Sequence, residues 1–325
     1  MTNQRLGWST LLALALGAAI TQWVTSGTLL SLLTQAVVYA VFAIGVGVLL
    51  RQNGMVSFGH ALYFGVAGYS VGLILQMQWM SAEWAMAATL VGMTGVAFLM
   101  GLVIVRVPGV AFGMLTLAIG QMVFLSASRS RGLTGGADGM NIDWPNTLFG
   151  VSTSVLVKPA SMFLLSWTTL VLVIGLLTLL LRSRFGGITE AVRDNEERAR
   201  FIGIRTVLPR AAIYALSALV TGVAGLLSSI NTGFVSPENL HWSLSGVALM
   251  MVVVGGYKAL WGPALGAVVY FLAKDILGDY ANHWMAIFGL ALIAVIVFSP
   301  TGLAGLVERL TQRNTSVAPR AAGGH

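Results

Sequence analysis

The stretch GGITEAVRDNEERARFIGIRTVLP, residues 186–209, decides the fold because it concentrates charge in a chain that otherwise has little. Eleven charged side chains lie in it or beside it: Arg182, Arg184, Glu190, Arg193, Asp194, Glu196, Glu197, Arg198, Arg200, Arg205 and Arg210. At about 3 kcal/mol per charge, burying them in a bilayer would cost on the order of 30 kcal/mol. We therefore predict that this stretch lies in water.

At helical spacing, six residues of the stretch share one face and the charges occupy the other: Ile188, Ala191, Val192, Asn195, Ala199 and Ile202. Gly203 and Pro209 are predicted to stop the helix. The pattern predicts one amphipathic helix that docks on a soluble partner. A solvated connector without a partner is the alternative.

The composition indicates an all-α polytopic membrane protein. The chain is 57% hydrophobic and 9% charged, whereas soluble domains carry about a quarter charged residues. The net charge of +7 fits basic cytoplasmic loops and does not require a nucleic acid partner. The absence of cysteine excludes disulfides and thiolate chemistry, and the four histidines show no metal-binding spacing. The sequence contains no P-loop, so we expect no ATPase site in this chain.

About ten transmembrane helices are predicted from the apolar runs, at residues 6–24, 29–50, 57–75, 85–105, 110–128, 161–181, 211–230, 244–257, 262–277 and 284–298. The first run is interpreted as a retained helix rather than a signal peptide, because no small-x-small cleavage site follows it. Segments 54–69 and 231–245 are candidates for broken or re-entrant helices, which transporters use near solute sites.

Ten spans place both termini on the same side of the membrane. Fourteen of the 18 Lys and Arg residues fall on that side and three on the other, while Lys274 lies within a span. This bias predicts that both termini and the charged stretch are cytoplasmic. We therefore expect one transmembrane domain over residues 1–306, with a cytoplasmic loop at 182–210 and a disordered cytoplasmic tail at 307–325.

Five polar or small-polar positions in the spans are candidates for a solute path: Ser57, His60, Tyr63, Thr116 and Gln121. A mostly apolar path with a few polar anchors would hold a solute weakly enough to release it. Thr116 and Gln121 could instead make interhelical hydrogen bonds, which contribute about 1 kcal/mol in membranes. For His60 the alternative is a structural bond to a loop carbonyl.

Five stretches, in order along the chain, resemble one family: SFGHALYFGVAGY (57–69), LTGGADGM (133–140), EAVRDNEERARFIGI (190–204), GFVSPE (233–238) and VVVGGYKALWGPALGA (252–267). Together they resemble the permease subunit of branched-chain amino acid ABC importers, the M-type of its two related subunits. The likeness extends from Leu29 to Leu306. Two departures are Val192 within the E-A-A motif and Tyr257-Lys258 where Leu-Gly is more frequent.

The resemblance implies a multi-pass protein of the bacterial inner membrane that imports branched-chain or other hydrophobic amino acids. It implies four partners: two cytoplasmic ATPases, a second homologous permease and an extracytoplasmic solute-binding protein. ATP and Mg would be bound by the ATPases, and no cofactor by this chain. The charged stretch would be the coupling loop, through Ile188, Glu190, Ala191, Val192, Arg193, Asn195, Ala199, Ile202 and Gly203.

Two alternatives remain for the function. A permease for urea or short amides would share the fold and several motifs. An ion-coupled secondary transporter would need buried carboxylates, and the predicted spans contain only Asp275. The loop residues Gly135, Gly136 and Asp138 are candidates for closing the outer mouth or contacting the binding protein, or they form a glycine turn that needs positive φ.

Overall fold

The computed structural model describes residues 3–280 and 301–306, together with residues 286, 289, 290 and 293. Nine longer helices run through the described part: α1 (Asn3–Trp23), α2 (Gly27–Asn53), α3 (Ala61–Gln76), α4 (Ala82–Ile104), α5 (Gly109–Arg129), α8 (Pro159–Arg182), α11 (Val207–Thr232), α12 (Trp242–Gly255) and α13 (Gly262–Tyr280). Short helices are α6 (Arg131–Thr134), α7 (Thr153–Leu156), α9 (Arg184–Asp194) and α10 (Glu196–Phe201).

These nine longer helices coincide, within a few residues at each end, with nine of the predicted spans. Five of them, α2, α4, α5, α8 and α11, are long and apolar enough to cross a membrane. Shorter apolar helices lie at Thr10–Trp23, Ala61–Gln76 and Trp242–Gly255. Most of the predicted tenth span and the whole predicted tail, 307–325, lie outside the described residues.

Helices α2 and α11 form the centre of the bundle. In each, 78% of the most apolar stretch is buried, against 22–28% in α4, α5 and α8. The two run antiparallel, because the end of α2 and the beginning of α11 meet where the Asn53 amide donates to the Arg210 carbonyl at 3.0 Å. We call this the charged end of the bundle, since α9 and α10 lie there.

Both central helices end in the same way. Gly54 follows α2 and Gly233 follows α11, each in the left-handed conformation (φ 66° and 63°) that glycine adopts without steric cost. The next residues read Met-Val-Ser in one case and Phe-Val-Ser in the other. Each irregular segment then ends at a histidine, His60 or His241, that begins the following helix. The chain therefore contains two broken-helix units of opposite direction.

The two broken units meet inside the bundle. The Ala61 backbone N–H at the beginning of α3 donates to the Ser245 hydroxyl near the beginning of α12, at 2.7 Å. Residues 55, 57, 59 and 60 of the first irregular segment are buried. Irregular backbone at membrane depth is tolerated only where protein or a water-filled cavity surrounds it. The predicted breaks at 54–69 and 231–245 are thus present in the fold.

Two glycines of α3, Gly65 and Gly68, pack against the second irregular segment rather than against another helix. A Cβ at Gly68 would lie 3.1 Å from Val235, and one at Gly65 would lie 3.0 Å from the Asn239 backbone. Leu240, 1% exposed, fills the space above Gly65. The close approach that glycines permit therefore fixes the broken segment in place.

The long loop between α5 and α8 covers the end of the bundle opposite the charged end. It contains strands β1 (Met140–Asn141), β2 (Thr147–Leu148) and β3 (Val151–Ser152), and β1 pairs antiparallel with β4 (Phe234–Val235). The Ile142 backbone N–H donates to the Gly233 carbonyl at 2.8 Å. The loop is thereby attached to the second broken unit.

Candidate functional site

The charged stretch forms two helices, so the prediction of one continuous helix is wrong. Asn195 separates α9 from α10 with extended backbone (φ −157°, ψ 100°), and its side-chain oxygen accepts from the Arg198 N–H at 2.8 Å. Asparagine favours this N-cap geometry over a helix interior. Gly203 (φ 86°) ends the second helix as predicted. Pro209 lies in the first turn of α11, which begins at Val207, instead of stopping the stretch, since a first helical turn tolerates proline.

Helix α9 is attached to the end of α2. The buried Thr189 hydroxyl donates to the Gln52 side-chain oxygen at 2.8 Å. Arg193 donates from Nη1 to the Arg51 carbonyl at 2.6 Å, and its Nη2 lies 3.6 Å from Glu190. These contacts hold the first half of the charged stretch against a central helix.

Helix α10 is attached to the beginning of α11. The Glu196 carboxylate accepts from Thr206 at 2.9 Å, from Arg200 at 2.6 Å and from Arg210 at 2.5 Å. Burial alone would raise the pKa of Glu196, but the Thr206 hydrogen bond and the two guanidinium charges outweigh burial and lower it. The two halves of the stretch are thus tied to different central helices.

The predicted apolar face divides between the bundle and the solvent. Val192 and Ala199 are 1% and 2% exposed because they pack against this chain, so they present no docking surface. Ile188, Ala191 and Ile202 are exposed. Sequence reasoning missed Phe201, which is 90% exposed. An aromatic side chain within a run of charged residues could have indicated this position. The prediction of one continuous helix did not include Phe201 in the apolar face.

A buried hydrogen-bonded cluster surrounds His60. Its Nε2 lies 2.6 Å from the Ser217 hydroxyl and its Nδ1 lies 2.7 Å from the Ser57 hydroxyl. Ser217 donates to the Gly45 carbonyl at 2.6 Å, so its oxygen accepts from His60 and the ring carries its proton on Nε2. Ser57 in turn donates to Nδ1. Both ring nitrogens of His60 are therefore hydrogen-bonded to hydroxyl groups, and the Ser217 hydroxyl also donates to a carbonyl of α2.

Three of the five predicted path residues come together here. Tyr63 donates from its hydroxyl to that of Tyr214 at 2.9 Å, and both rings pack edge-on against His60. Thr116 donates to the Gly113 carbonyl within its own helix. Its backbone packs directly against Gly59 of the irregular segment, where a Cβ would collide with the Thr116 carbonyl. Ser57, His60, Tyr63 and Thr116 are each at most 2% exposed.

Gln121 stands apart from this cluster. It is half-buried, and its Oε1 is a buried acceptor without a hydrogen-bond partner among the described residues. Tyr63 also lines an apolar cavity of about 450 Å³ between α3, α4 and α5, where the buried Thr89 hydroxyl is likewise unpaired. The Thr89 hydroxyl is therefore a polar group available beside apolar space, whereas Gln121 does not line this cavity.

The outer-loop glycines form a tight turn. Gly135 and Gly136 have φ of 75° and 68°, and a Cβ at Gly135 would collide with the Gly139 carbonyl. Asp138 is exposed in the 3₁₀ turn Gly136–Asp138. The turn geometry therefore accounts for both glycines. Within the described part of the chain, no three His, Asp or Glu side chains converge as a metal site.

The fold and these sites define a class of protein: a multi-pass membrane permease, with apolar helices around two broken central units and a charged segment outside them. Residues 28–297 match the family described as branched-chain amino acid transport system / permease component, and the chain belongs to that family. It is a LivM-type permease of the ABC transporter class and lies in the bacterial inner membrane.

Relatives differ in the solute that their names state. LivM of Salmonella typhimurium, a high-affinity branched-chain amino acid permease protein, is 25% identical over 90% of this chain and 74% of its own. LivM of Escherichia coli is 23% identical over 89% and 73%. LsrC of Yersinia enterocolitica, an autoinducer 2 import permease protein, is 28% identical over 91% and 82%. No solved structure matches the chain.

Proposed function

We propose that this chain is the membrane-spanning subunit of an ATP-driven importer that moves branched-chain or other hydrophobic amino acids into the cytoplasm. Its partners are two cytoplasmic ATPases, a second homologous permease and an extracytoplasmic solute-binding protein. ATP and Mg are bound by the ATPases, and this chain contributes no cofactor site of its own.

The observation that carries the proposal is the anchored charged segment. Apolar side chains project from it (Ile188, Ala191, Phe201 and Ile202), although eleven charges surround them. A groove in a protein partner would cover such side chains, as amphipathic helices are covered elsewhere. Because α9 is tied to α2 and α10 to α11, movement of a docked ATPase would reach both central helices.

The remaining predicted coupling residues support this surface without lining it. Glu190 is exposed and Arg193 partly buried, and their pair at 3.6 Å contributes under about 1 kcal/mol. Asn195 separates the two helices of the segment and Gly203 ends the second one. Val192 and Ala199 pack the segment against the bundle. We therefore assign docking to the exposed apolar side chains and attachment to the buried ones.

Orientation is tested by thiol labelling, since the chain contains no cysteine. Single cysteines replace Arg193, Asp138 and Ala318 in turn. With the charged end in the cytoplasm, an impermeant reagent added to intact cells labels only the position-138 variant. Labelling at position 193 from outside would overturn the coupling role.

The transport function is tested in proteoliposomes that contain this chain with its partner permease, ATPases and binding protein. ATP is supplied on the side of the vesicle membrane that the charged end of the bundle faces. We expect accumulation of labelled leucine, isoleucine or valine that requires ATP hydrolysis. Absence of amino acid accumulation, with urea or autoinducer 2 accumulated instead, would replace the proposed solute.

One finding favours a second solute class. The Yersinia relative named for autoinducer 2 import is as similar in identity as the LivM proteins. The solutes offered in the uptake assay therefore include autoinducer 2, urea and a short amide. Coupling to an ion gradient is tested in the same vesicles by adding an ionophore, which should leave ATP-driven uptake unchanged.

A further inference from the structure

A polar groove lies at the end of the bundle opposite the charged end. Helix α11 begins beside α10 and has 26 residues, so its two ends are about 39 Å apart. Two adjoining cavities, of about 240 and 480 Å³, lie where α11 ends, and they share Tyr39 and Asn239 as wall residues. Pockets of a few hundred Å³ are the size of small-solute sites.

The larger cavity contains a single acidic side chain. Glu238 lines it, and no ion pair or side-chain hydrogen bond occupies this carboxylate within the described part of the chain. Its neighbours Pro237 and Leu240 are buried, and Leu240 packs against Gly65 of α3. The carboxylate is therefore carried on a firmly seated 3₁₀ turn (Pro237–Leu240).

Apolar side chains form another part of the wall of the larger cavity. Phe124, Leu244 and Val247 line the cavity, and the Phe124 ring lies 4.9 Å from the His241 ring. The smaller cavity is lined by carboxamides, among them Gln35 and Asn231. The groove thus combines one unpaired negative charge, neutral hydrogen-bonding groups and an apolar surface.

We infer that Glu238 receives the ammonium group of a hydrophobic amino acid on its way into the permease, while Phe124, Leu244 and Val247 contact its apolar side chain. This inference rests on the proposed import function and adds the residue that recognises the solute's charge. A carboxylate and an ammonium form a charge-assisted hydrogen bond, which a neutral solute such as urea does not offer. Tyr39 and Asn239 supply polar groups for the other end of the zwitterion.

The charge of the groove is measured first, because that readout does not need transport. Val247→Cys is made in the otherwise cysteine-free chain and assembled into the whole importer. The rates of modification by cationic and anionic methanethiosulfonates are each divided by the rate with a free thiol in solution. The ratio of the two normalised rates, cationic to anionic, is the charge ratio. One carboxylate at short range should favour the cationic reagent about five- to tenfold. Glu238→Gln in the same background should bring the ratio close to one.

Two controls separate the groove from its surroundings. Asp143→Asn removes an exposed charge from the long loop, outside both cavities, and should leave the ratio unchanged. Val151→Cys places a thiol on that loop, where Glu238→Gln should have no effect. A charge ratio that does not respond to Glu238→Gln overturns the inference. If the position-247 thiol is unreactive, Leu244→Cys is used, and failure of both thiols to react also overturns it.

The solute class is then tested by protection. Leucine should slow modification at position 247, whereas 4-methylpentanoate, which lacks the ammonium, should not. Glu238→Gln should abolish the leucine effect and lower uptake at low leucine concentration several-fold, with partner co-purification intact. Equal protection by both compounds, or normal uptake by Glu238→Gln, contradicts the inference while leaving amino acid import standing. Lack of leucine uptake by the unmodified importer contradicts the proposed function instead.

Discussion

The charged segment and the His60 cluster both concentrate polar groups, yet the fold treats them in opposite ways. In the segment, eleven charged side chains lie in or beside α9 and α10, and apolar side chains such as Phe201 remain uncovered. In the cluster, Ser57, His60 and Ser217 are fully buried and satisfy each other. The first region leaves apolar side chains uncovered, whereas the polar groups of the second are satisfied within the chain.

This difference separates two kinds of polar residue in a membrane protein. A buried hydrogen bond that is fully made holds irregular backbone in place, as the His60 bonds hold the segment before α3. An exposed apolar side chain among charges gains stability only by association. Changes in the cluster should therefore act on folding, and changes in the segment on assembly.

The largest expected effect is on folding, from His60→Ala. The substitution leaves the Ser57 and Ser217 hydroxyls without their ring partner and opens a cavity, which should cost about 3 kcal/mol or more. His241→Ala, at the corresponding position of the other broken unit, is the control and should cost about 1 kcal/mol as a lost cap. Thermal unfolding of the detergent-purified chain measures both. Equal costs would show that the cluster is not a folding element.

Ala191→Asp is expected to affect assembly about as strongly as His60→Ala affects folding. The exposed position lies outside the bundle, so the stability of the isolated chain should change by less than about 0.5 kcal/mol. An unpaired charge in the partner's groove typically costs several kcal/mol, so co-purification of the ATPase and solute-stimulated hydrolysis should be lost. Ala191→Ser is the matched control and should retain both. A fully assembled Ala191→Asp importer would make the segment a connector only.

A smaller effect is expected from Glu196→Gln, which weakens the attachment of α10 to α11. The lowered pKa means that the charged form is stabilised by folding. Its contribution is present above the usual glutamate value of 4.5 and is lost as the pH falls through the lower folded pKa. At pH 7 the loss of charge-assisted bonds should cost about 1–2 kcal/mol locally.

Hydrogen exchange of the α10 amides measures this attachment. Glu196→Gln should exchange faster at pH 7, and it should lack the additional loosening that we expect of the unmodified chain below pH 4.5. Glu197→Gln, one residue further along and exposed, serves as the control. Unchanged exchange in Glu196→Gln would mean that packing of Ala199 alone holds the helix.

The smallest effect on stability is expected from Gln121→Leu. Since Oε1 has no partner among the described residues, its removal should change folding by less than about 1 kcal/mol. As a predicted path residue, Gln121 should instead affect uptake, with assembly and basal ATP hydrolysis intact. Unchanged uptake would remove it from the path, and failed assembly would identify it as a packing residue.

Much of this fold follows from local patterns. Apolar run length predicted the nine longer helices because a bilayer-spanning helix needs about 20 such residues. Glycine and polar residues near 54–69 and 231–245 indicated where helices break. The likeness of Gly54-Met-Val-Ser to Gly233-Phe-Val-Ser went unnoticed, since four residues carry little signal until both segments are seen to end central helices.

The sequence by itself determined that the chain is a multi-pass membrane protein, because hydropathy acts locally along the chain, and its five motifs indicated the permease family. Only the tertiary structure decided which side chains are available. Asn195 caps a second helix, and the Glu196 carboxylate of that helix accepts from Arg210 at the beginning of α11. Val192 and Ala199 are buried against the bundle, while Phe201 remains exposed. His60 is closed off by Ser217, 157 residues away. Burial depends on such distant partners, which no local pattern contains.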